Sequence, residues 1–287
     1  MLERWSRPLA RLSTGTARVM DALFRVLGRP GKLLQDFLNG AWLGHSLHPV
    51  VVDVVVGGAT AAVLLQLLSW LGVAEVRTAL LWVVGLTWLS GVSAIVTGLT
   101  DFKDTATGDE RNVVGLHGLV NIVATVAFVV AFVAFLAEAD GLAGWLLIGG
   151  YLVLSVGAFI GGHVVFKYGY MVNRNAFARG RAAKEFTAVL PAADLPEATP
   201  MKAALGATTL VLVRRGDLVF ALKETCSHAG GPLSEGTLAG DTIVCPWHAS
   251  AFRLRDGAVR HGPAATRQVA YRARISDGQI EVQGPIS

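Results

Sequence analysis

Cysteine is scarce in this chain: two residues in 287. Both fall in one stretch, "CSHAGGPLSEGTLAGDTIVCPWHAS", as Cys226 and Cys245. A scaffold stapled by several disulfides is therefore excluded, and two thiols in a reducing compartment point to metal or redox chemistry. Charge is scarce too, at 16% of residues, and it is unevenly spread. The basic N-terminal segment lacks an uninterrupted apolar run, so no cleavable signal peptide is expected. No G-x-G-x-x-G follows a strand pattern, so no nucleotide-binding fold is expected. The formal net charge of +4 makes no case for nucleic acid, because the basic residues cluster beside apolar runs instead.

Those runs dominate from about Pro49 to Phe166. Four are long enough to cross a bilayer, which takes about 20 apolar residues: Val50–Leu71, Ala79–Leu99, Val113–Leu136 and Leu142–Val165. Helices buried in a soluble bundle keep a polar face, and these runs are apolar nearly all round. Arg4, Arg7, Arg11, Arg18, Arg25, Arg29 and Lys32 precede the spans, and Lys167, Arg174, Arg179, Arg181 and Lys184 follow them. The first and third inter-span loops offer only Arg77. Excess Lys and Arg marks the cytoplasmic side, so both termini are expected there, in the plasma (inner) membrane of a bacterium. Trp42, Trp70, Trp82 and Trp145 sit near span ends, where interfacial aromatics belong.

The expected organisation is four parts. Residues 1–44 form a basic amphipathic segment suited to a membrane surface, and residues 45–168 a four-helix transmembrane bundle. Residues 169–185 form a basic linker that lets the next domain swing, and residues 186–287 an all-β domain. Within the last part, Thr208–Arg214 and Leu218–Lys223 read as strands around a Gly-Asp turn. Further turns fall at Asp256-Gly257 and Asp277-Gly278. The fold class is α + β in separate domains.

Into the β domain drop Cys226-x-His228 and Cys245-x-x-His248. Two thiolates and two imidazoles from two loops suit a cluster with one iron held by sulfur and the other by nitrogen. Neutral imidazoles in place of thiolates make the cluster less negative and raise the reduction potential. Zinc also takes Cys and His in fours, but the flanking residues point to iron. Cys226, His228, Gly230 and Leu233 resemble the first loop of the Rieske [2Fe–2S] family. Cys245, Pro246, His248, Ser250 and Phe252 resemble its second, and the likeness covers about residues 186–285. The resemblance implies that Cys226 and Cys245 hold one iron and His228 and His248 the other, with the imidazole edges toward solvent. Ser250 is implied as a hydrogen-bond donor to the cluster.

Departures from the family refine this expectation. High-potential members carry two further loop cysteines in a disulfide, where this chain has Gly231 and Trp247. A tyrosine that hydrogen-bonds a cluster thiolate in those members is Phe252 here. Losing a donor to sulfur lowers the potential, so a ferredoxin-type domain is expected, near the lower end of the family's range of about −150 to +300 mV. Rieske oxygenases carry a mononuclear-iron domain after the Rieske domain. The stretch Ala249–Ser287 is too short for one, so an electron carrier or oxidoreductase component without catalytic residues is expected.

Histidine is the remaining signal. His261 lies in a basic turn and is expected to be solvated. His45, His48, His117 and His163 all count to the cytoplasmic end of the bundle, with Asp101 closing span two and Asp53 one turn inside span one. Ionisable groups inside a membrane are costly and generally face the bundle interior. Four readings stand: bis-histidine haem b, a non-haem metal site of mixed His and Asp, a quinone pocket, and a polar cluster that ties span ends together. The arrangement "HSLHPVVVDVVVGG" with "GLTDF" and "GLHG" resembles an uncharacterised bacterial family of four-span membrane domains. That likeness implies architecture alone.

The expected function is a membrane-bound electron carrier. It would join a soluble cytoplasmic donor (a reductase) to a membrane acceptor: haem, quinone or a partner enzyme. The alternative is a redox-sensing or tethering module in which the bundle is only an anchor.

Overall fold

The computed structural model describes residues 2–73, 75–177 and 183–286. Arg179 and Arg181, counted above toward the basic side, lie outside the described residues. The chain divides into two compact units, Met1–Gly31 with Ser46–Tyr170, and Lys32–His45 with Met171–Ser287.

The first unit opens with α1 (Leu2–Ser6) and α2 (Ala10–Val26), and its boundary falls inside α3 (Gly28–Leu38). At about 100° per residue, α2 has three faces. Ser13, Ala17 and Phe24 are buried, and Ser13 Oγ occupies the space that a Cβ on Gly115 would need. Leu12, Val19, Leu23 and Val26 form an exposed apolar face. Arg11, Arg18 and Arg25 recur every seven residues along the third, which is also exposed.

Four long apolar helices follow: α4 (Leu47–Trp70), α5 (Arg77–Phe102), α6 (Asp109–Leu136) and α7 (Asp140–Tyr168). Each begins before its apolar run, and α5 and α7 also continue beyond it, because backbone hydrogen bonding, unlike hydropathy, does not stop at the first polar residue. Arg77 shows how such an end is used. Its guanidinium donates to the Phe135 carbonyl (2.6 Å) and to Asp140 (3.2 Å), tying one hairpin to the other. Lipid is as apolar as leucine, so close packing holds the spans together more than hydrophobic burial does. The interior is accordingly lined by small residues. Ala59, Ala62, Ala124, Ala131 and Ala143 surround Phe128, Phe135 and Leu147. Thr87, Gly91, Ala94, Thr97 and Asp101 form the buried stripe of α5. A Cβ on Gly91 would lie 2.9 Å from the Thr125 side chain, and one on Gly150 would lie 2.9 Å from Phe128. Helices α4 and α6 each pack mainly on α5 and α7, and so stand diagonally in the bundle.

The second unit is built on two antiparallel sheets. The strands are β1 (Ala183–Pro191), β2 (Met201–Leu205), β3 (Thr208–Arg215), β4 (Leu218–Lys223), β5 (Thr237–Ala239), β6 (Thr242–Val244), β7 (Ala251–Arg253), β8 (Val259–His261), β9 (Ala270–Ser276) and β10 (Gln279–Ile286). The larger sheet has the order β1-β10-β9-β4-β3-β2, and the smaller β5-β6-β7-β8. The β3–β4 and β9–β10 hairpins turn at the expected residues. Asp277 (φ 49°) and Gly278 (φ 73°) are both left-handed, which matches the right-handed strand twist in a two-residue loop. Leu210, Leu212, Ala221, Ile280 and Val282 fill one core, and Val211, Val213, Leu222, Ile243 and Phe252 another. This is the alternation of a sheet covered on both faces.

The expectation of a solvated His261 is corrected here. Its Nδ1 lies 2.7 Å from Asp36 Oδ1, and the same oxygen accepts the Gly262 N–H at 2.7 Å. The segment Lys32–His45 thus packs into this unit, where Trp42 stacks on Phe37 at 5.7 Å. The first part of the basic linker is also docked. Arg174 N donates to Ser227 O (3.0 Å) and Asn175 Nδ2 to Thr225 O (3.0 Å), so these residues belong to the second unit.

Candidate metal centre

The β4–β5 loop carries Cys226 and His228, and the β6–β7 loop carries Cys245 and His248. The two loops repeat one backbone pattern. Cys226 N donates to Gly231 O (2.9 Å), and Gly230 N donates to Cys226 O (3.0 Å). Cys245 N donates to Ser250 O (2.9 Å), and Ala249 N donates to Cys245 O (3.1 Å). The fourth residue after each cysteine is left-handed: Gly230 at φ 90° and Ala249 at φ 59°. That twist closes each loop on its own cysteine.

Such a loop turns successive amides inward. The N–H groups of His228 and Ala229 point at the Cys226 sulfur, and those of Trp247 and His248 at the Cys245 sulfur. Concave rows of amides favour an anion, here a thiolate. The two thiols also share a hydrogen bond. It pulls Cys245 down to about 7 and pushes Cys226 up, burial adding to the rise. Both cysteines are free and buried. The His228 and His248 rings lie 5.0 Å apart between centres and perpendicular. His228 is buried and His248 half-buried, so His248 offers the more open edge.

This donor set fits a two-iron cluster. Two sulfurs close enough to share a proton, each backed by two amides, suit one iron, and the adjacent imidazole pair suits the other. Space is reserved for the sulfurs as well. A Cβ on Gly231 would lie 2.8 Å from Cys245 Sγ and 3.0 Å from Trp247 Cγ. The Trp247 ring thus packs on the Gly231 backbone beside the Cys245 sulfur. Ser250 is fully buried and its Oγ accepts the Ala264 N–H at 3.0 Å, which leaves its own proton to donate.

Sequence reasoning missed two supports of the first loop. Gln268 is buried; its Oε1 accepts Ser227 N–H (3.0 Å) and its Nε2 donates to Lys223 O and Thr225 O (2.5 and 2.7 Å). Glu224 accepts from Ser234 N (3.0 Å) and Ser234 Oγ (2.5 Å). A lone Gln or Glu has no spacing that announces such a role.

The membrane histidines do not gather into one group. His48 and His117 face each other at 6.4 Å between ring centres. His163 pairs with Glu3 (3.5 Å) beside the Tyr168 ring, and the Lys167 ammonium holds that Glu3 carboxyl well below the usual range. Asp101 accepts the Ser46 hydroxyl (2.7 Å), and its backbone oxygen accepts Tyr170 O–H (2.6 Å). Asp53 and His45 are exposed. Among the described residues, no three or more His, Cys, Asp or Glu side chains are placed to hold a bare metal ion.

Comparison with known proteins agrees with the β unit's geometry. The Rieske [2Fe–2S] domain family matches residues 185–273. Ferredoxin CarAc of Metapseudomonas resinovorans is 36% identical over 80 residues, which is 28% of this chain and 75% of that protein. The anthranilate 1,2-dioxygenase ferredoxin subunit of Burkholderia cepacia is 34% identical over 89 residues, 31% of this chain and 82% of the relative. Among solved structures, the ferredoxin of carbazole 1,9a-dioxygenase from Nocardioides aromaticivorans aligns at 27% identity. Its TM-score is 0.34, over 35% of this chain and 99% of that one. Residues 44–174 match a family described as predicted membrane protein, DUF2231. The chain belongs to the Rieske [2Fe–2S] family through its C-terminal domain, and it carries a DUF2231 membrane domain ahead of that domain.

Proposed function

We propose that this protein is a membrane-bound electron carrier. In this reading Cys226 and Cys245 hold one iron of a [2Fe–2S] cluster, and His228 and His248 hold the other. The observation that carries the reading is the pair of matching loops, each turning two amides onto its cysteine sulfur. When bound, the cluster takes up and releases one electron. The protein's own part is to stabilise the added negative charge. The four inward amides and the Ser250 hydroxyl do this at sulfur, and the half-buried His248 edge gives a short path outward. Relatives named as dioxygenase ferredoxin subunits support a soluble donor of the reductase type.

In this reading the acceptor lies in the membrane: a haem, a quinone or a partner enzyme. Four apolar helices support an inner-membrane, multi-pass protein. The charge pattern supports cytoplasmic termini and a cytoplasmic cluster domain, since the 71–76 and 137–139 loops carry no Lys or Arg.

A test uses membrane vesicles of both orientations, supplied with NADH and a soluble ferredoxin reductase. The cluster's visible bands should bleach in inside-out vesicles and persist in right-side-out ones. Bleaching only in right-side-out vesicles contradicts the orientation. Bleaching from neither side, with the cluster intact, contradicts the carrier.

A further inference from the structure

We infer that His48 and His117 are the two axial ligands of a haem iron inside the four-helix unit. This deepens the reading above by naming one membrane acceptor, yet its evidence lies wholly within that unit.

The two α-hairpins repeat one device. On α4, His48 Nδ1 lies 2.9 Å from the Ala94 carbonyl of α5. On α6, His117 Nδ1 lies 2.9 Å from the Gly157 carbonyl of α7. One turn beyond each carbonyl stands a glycine against which the ring packs. A Cβ on Gly98 would lie 2.9 Å from His48 Cε1, and a Cβ on Gly161 would lie 2.8 Å from His117 Cε1. Each partner helix thus supplies a carbonyl for one edge of an imidazole and a gap for the ring.

This arrangement sets the tautomer. A carbonyl oxygen only accepts, so each Nδ1 carries the proton and each neutral ring keeps its lone pair on Nε2; the Asn121 amide 3.2 Å from His117 Nδ1 donates instead to the His117 carbonyl at 2.7 Å. A ligating histidine is commonly held this way, with its other nitrogen donated to a carbonyl. Neither Nε2 has a hydrogen-bond partner among the described residues. Carbonyl, glycine and ring together orient both side chains before any ligand arrives.

The spacing then selects the ligand. Helices α4 and α6 stand diagonally, so the two rings meet across the bundle interior. At 6.4 Å between centres they are too far apart to hydrogen-bond to each other. Two imidazoles bound in trans to one metal, with bonds of about 2.0–2.1 Å, have ring centres about 6.3 Å apart. No third protein donor joins them among the described residues, so the metal must bring its other ligands. A haem does so, with four pyrrole nitrogens in the plane between two axial imidazoles. The flanking helices present Gly98 on α5 and Gly161 on α7, whose gaps seat the two imidazoles, while the gaps at Gly91 and Gly157 seat the Thr125 and Asn121 side chains. His163 and Asp101 play no part, being engaged by Glu3 and Ser46.

The test is the optical spectrum of full-length protein, expressed with a haem precursor, purified in detergent and titrated with hemin. The expected result is one low-spin, six-coordinate haem per chain, with a sharp band on reduction. His48→Ala and His117→Ala should each abolish that species, with added imidazole restoring it. His45→Ala and His163→Ala should leave it unchanged. His117→Met, which keeps a ligand, should retain a low-spin haem at a raised midpoint potential, and this covers the case where the alanine variants fail to fold. Failure of the wild type to take up haem overturns the inference, and so does a bare metal bound in its place. A low-spin spectrum that survives both alanine substitutions, or an unmoved potential in His117→Met, also overturns it. The cluster bleaching test is unaffected by any of these, so the two readings fail separately.

Discussion

Ala249 occupies in the second cluster loop the left-handed position that Gly230 occupies in the first, at φ 59° and 90°. Each N–H closes onto its own cysteine carbonyl. A side chain in this conformation costs about 1–2 kcal/mol, whereas glycine pays only in chain entropy, about 0.5–1 kcal/mol. Ala249→Gly should therefore stabilise the domain by about 0.5–1 kcal/mol. Denaturant unfolding of the full chain in detergent, followed by cluster absorbance, checks this. A loss of stability would mean that the Ala249 methyl makes a contact worth more than the strain.

Gly231 works in the opposite sense. Its missing Cβ leaves the Cys245 sulfur and the Trp247 ring in place. Gly231→Ala should push one or both aside, an overpacking cost of about 1–3 kcal/mol, and lower the iron bound per chain. The β domain should stay folded by circular dichroism, because the sheets do not depend on this position. Full iron content in the variant would show that the sulfurs are not held at the observed spacing.

The sulfur–nitrogen division of the cluster makes a directional prediction. His228→Cys replaces a neutral ligand by an anionic one. The cluster should persist, with its potential falling toward the about −400 mV of all-cysteine plant-type ferredoxins. Redox titration followed by absorbance reads the shift. An unchanged or higher potential would remove His228 from the ligand set.

Asp256 predicts a pH dependence. Arg253 is the main cause that holds its carboxyl down, to about 2, helped by the Ala258 N–H. A depressed folded value means that the stabilisation is fully present above the ordinary carboxylate range. It is lost as pH falls through about 2. Asp256→Asn should therefore unfold more easily at neutral pH, by a modest amount because the pair is close to solvent. The gap to wild type should close toward pH 2. A gap of constant size across that range would assign the effect to geometry rather than charge.

Much of the β unit was legible because its signals are local. Cys-x-His and Cys-Pro-x-His sit within single loops, and Asp277-Gly278 announces its hairpin by residue type alone. The spans were legible because a bilayer imposes length and composition together. What stayed hidden depends on partners distant in the chain. Asp36 meets His261 across 225 positions, and a basic turn shows no trace of that. Counting placed His48, His117 and His163 at one end of the bundle. Only the structure separates the pair whose rings face each other from the one that Glu3 engages. Gln268 was missed for the same reason: its side chain bonds backbone groups of a loop about forty residues earlier and the Asn175 amide 93 positions away.

The most direct test of the central claim is the iron and acid-labile sulfide content of anaerobically purified full-length protein, with its zinc content measured on the same sample. The account predicts two irons and two sulfides per chain, lost when Cys226 or Cys245 is replaced by serine. Zinc at one per chain, with no sulfide, would contradict it.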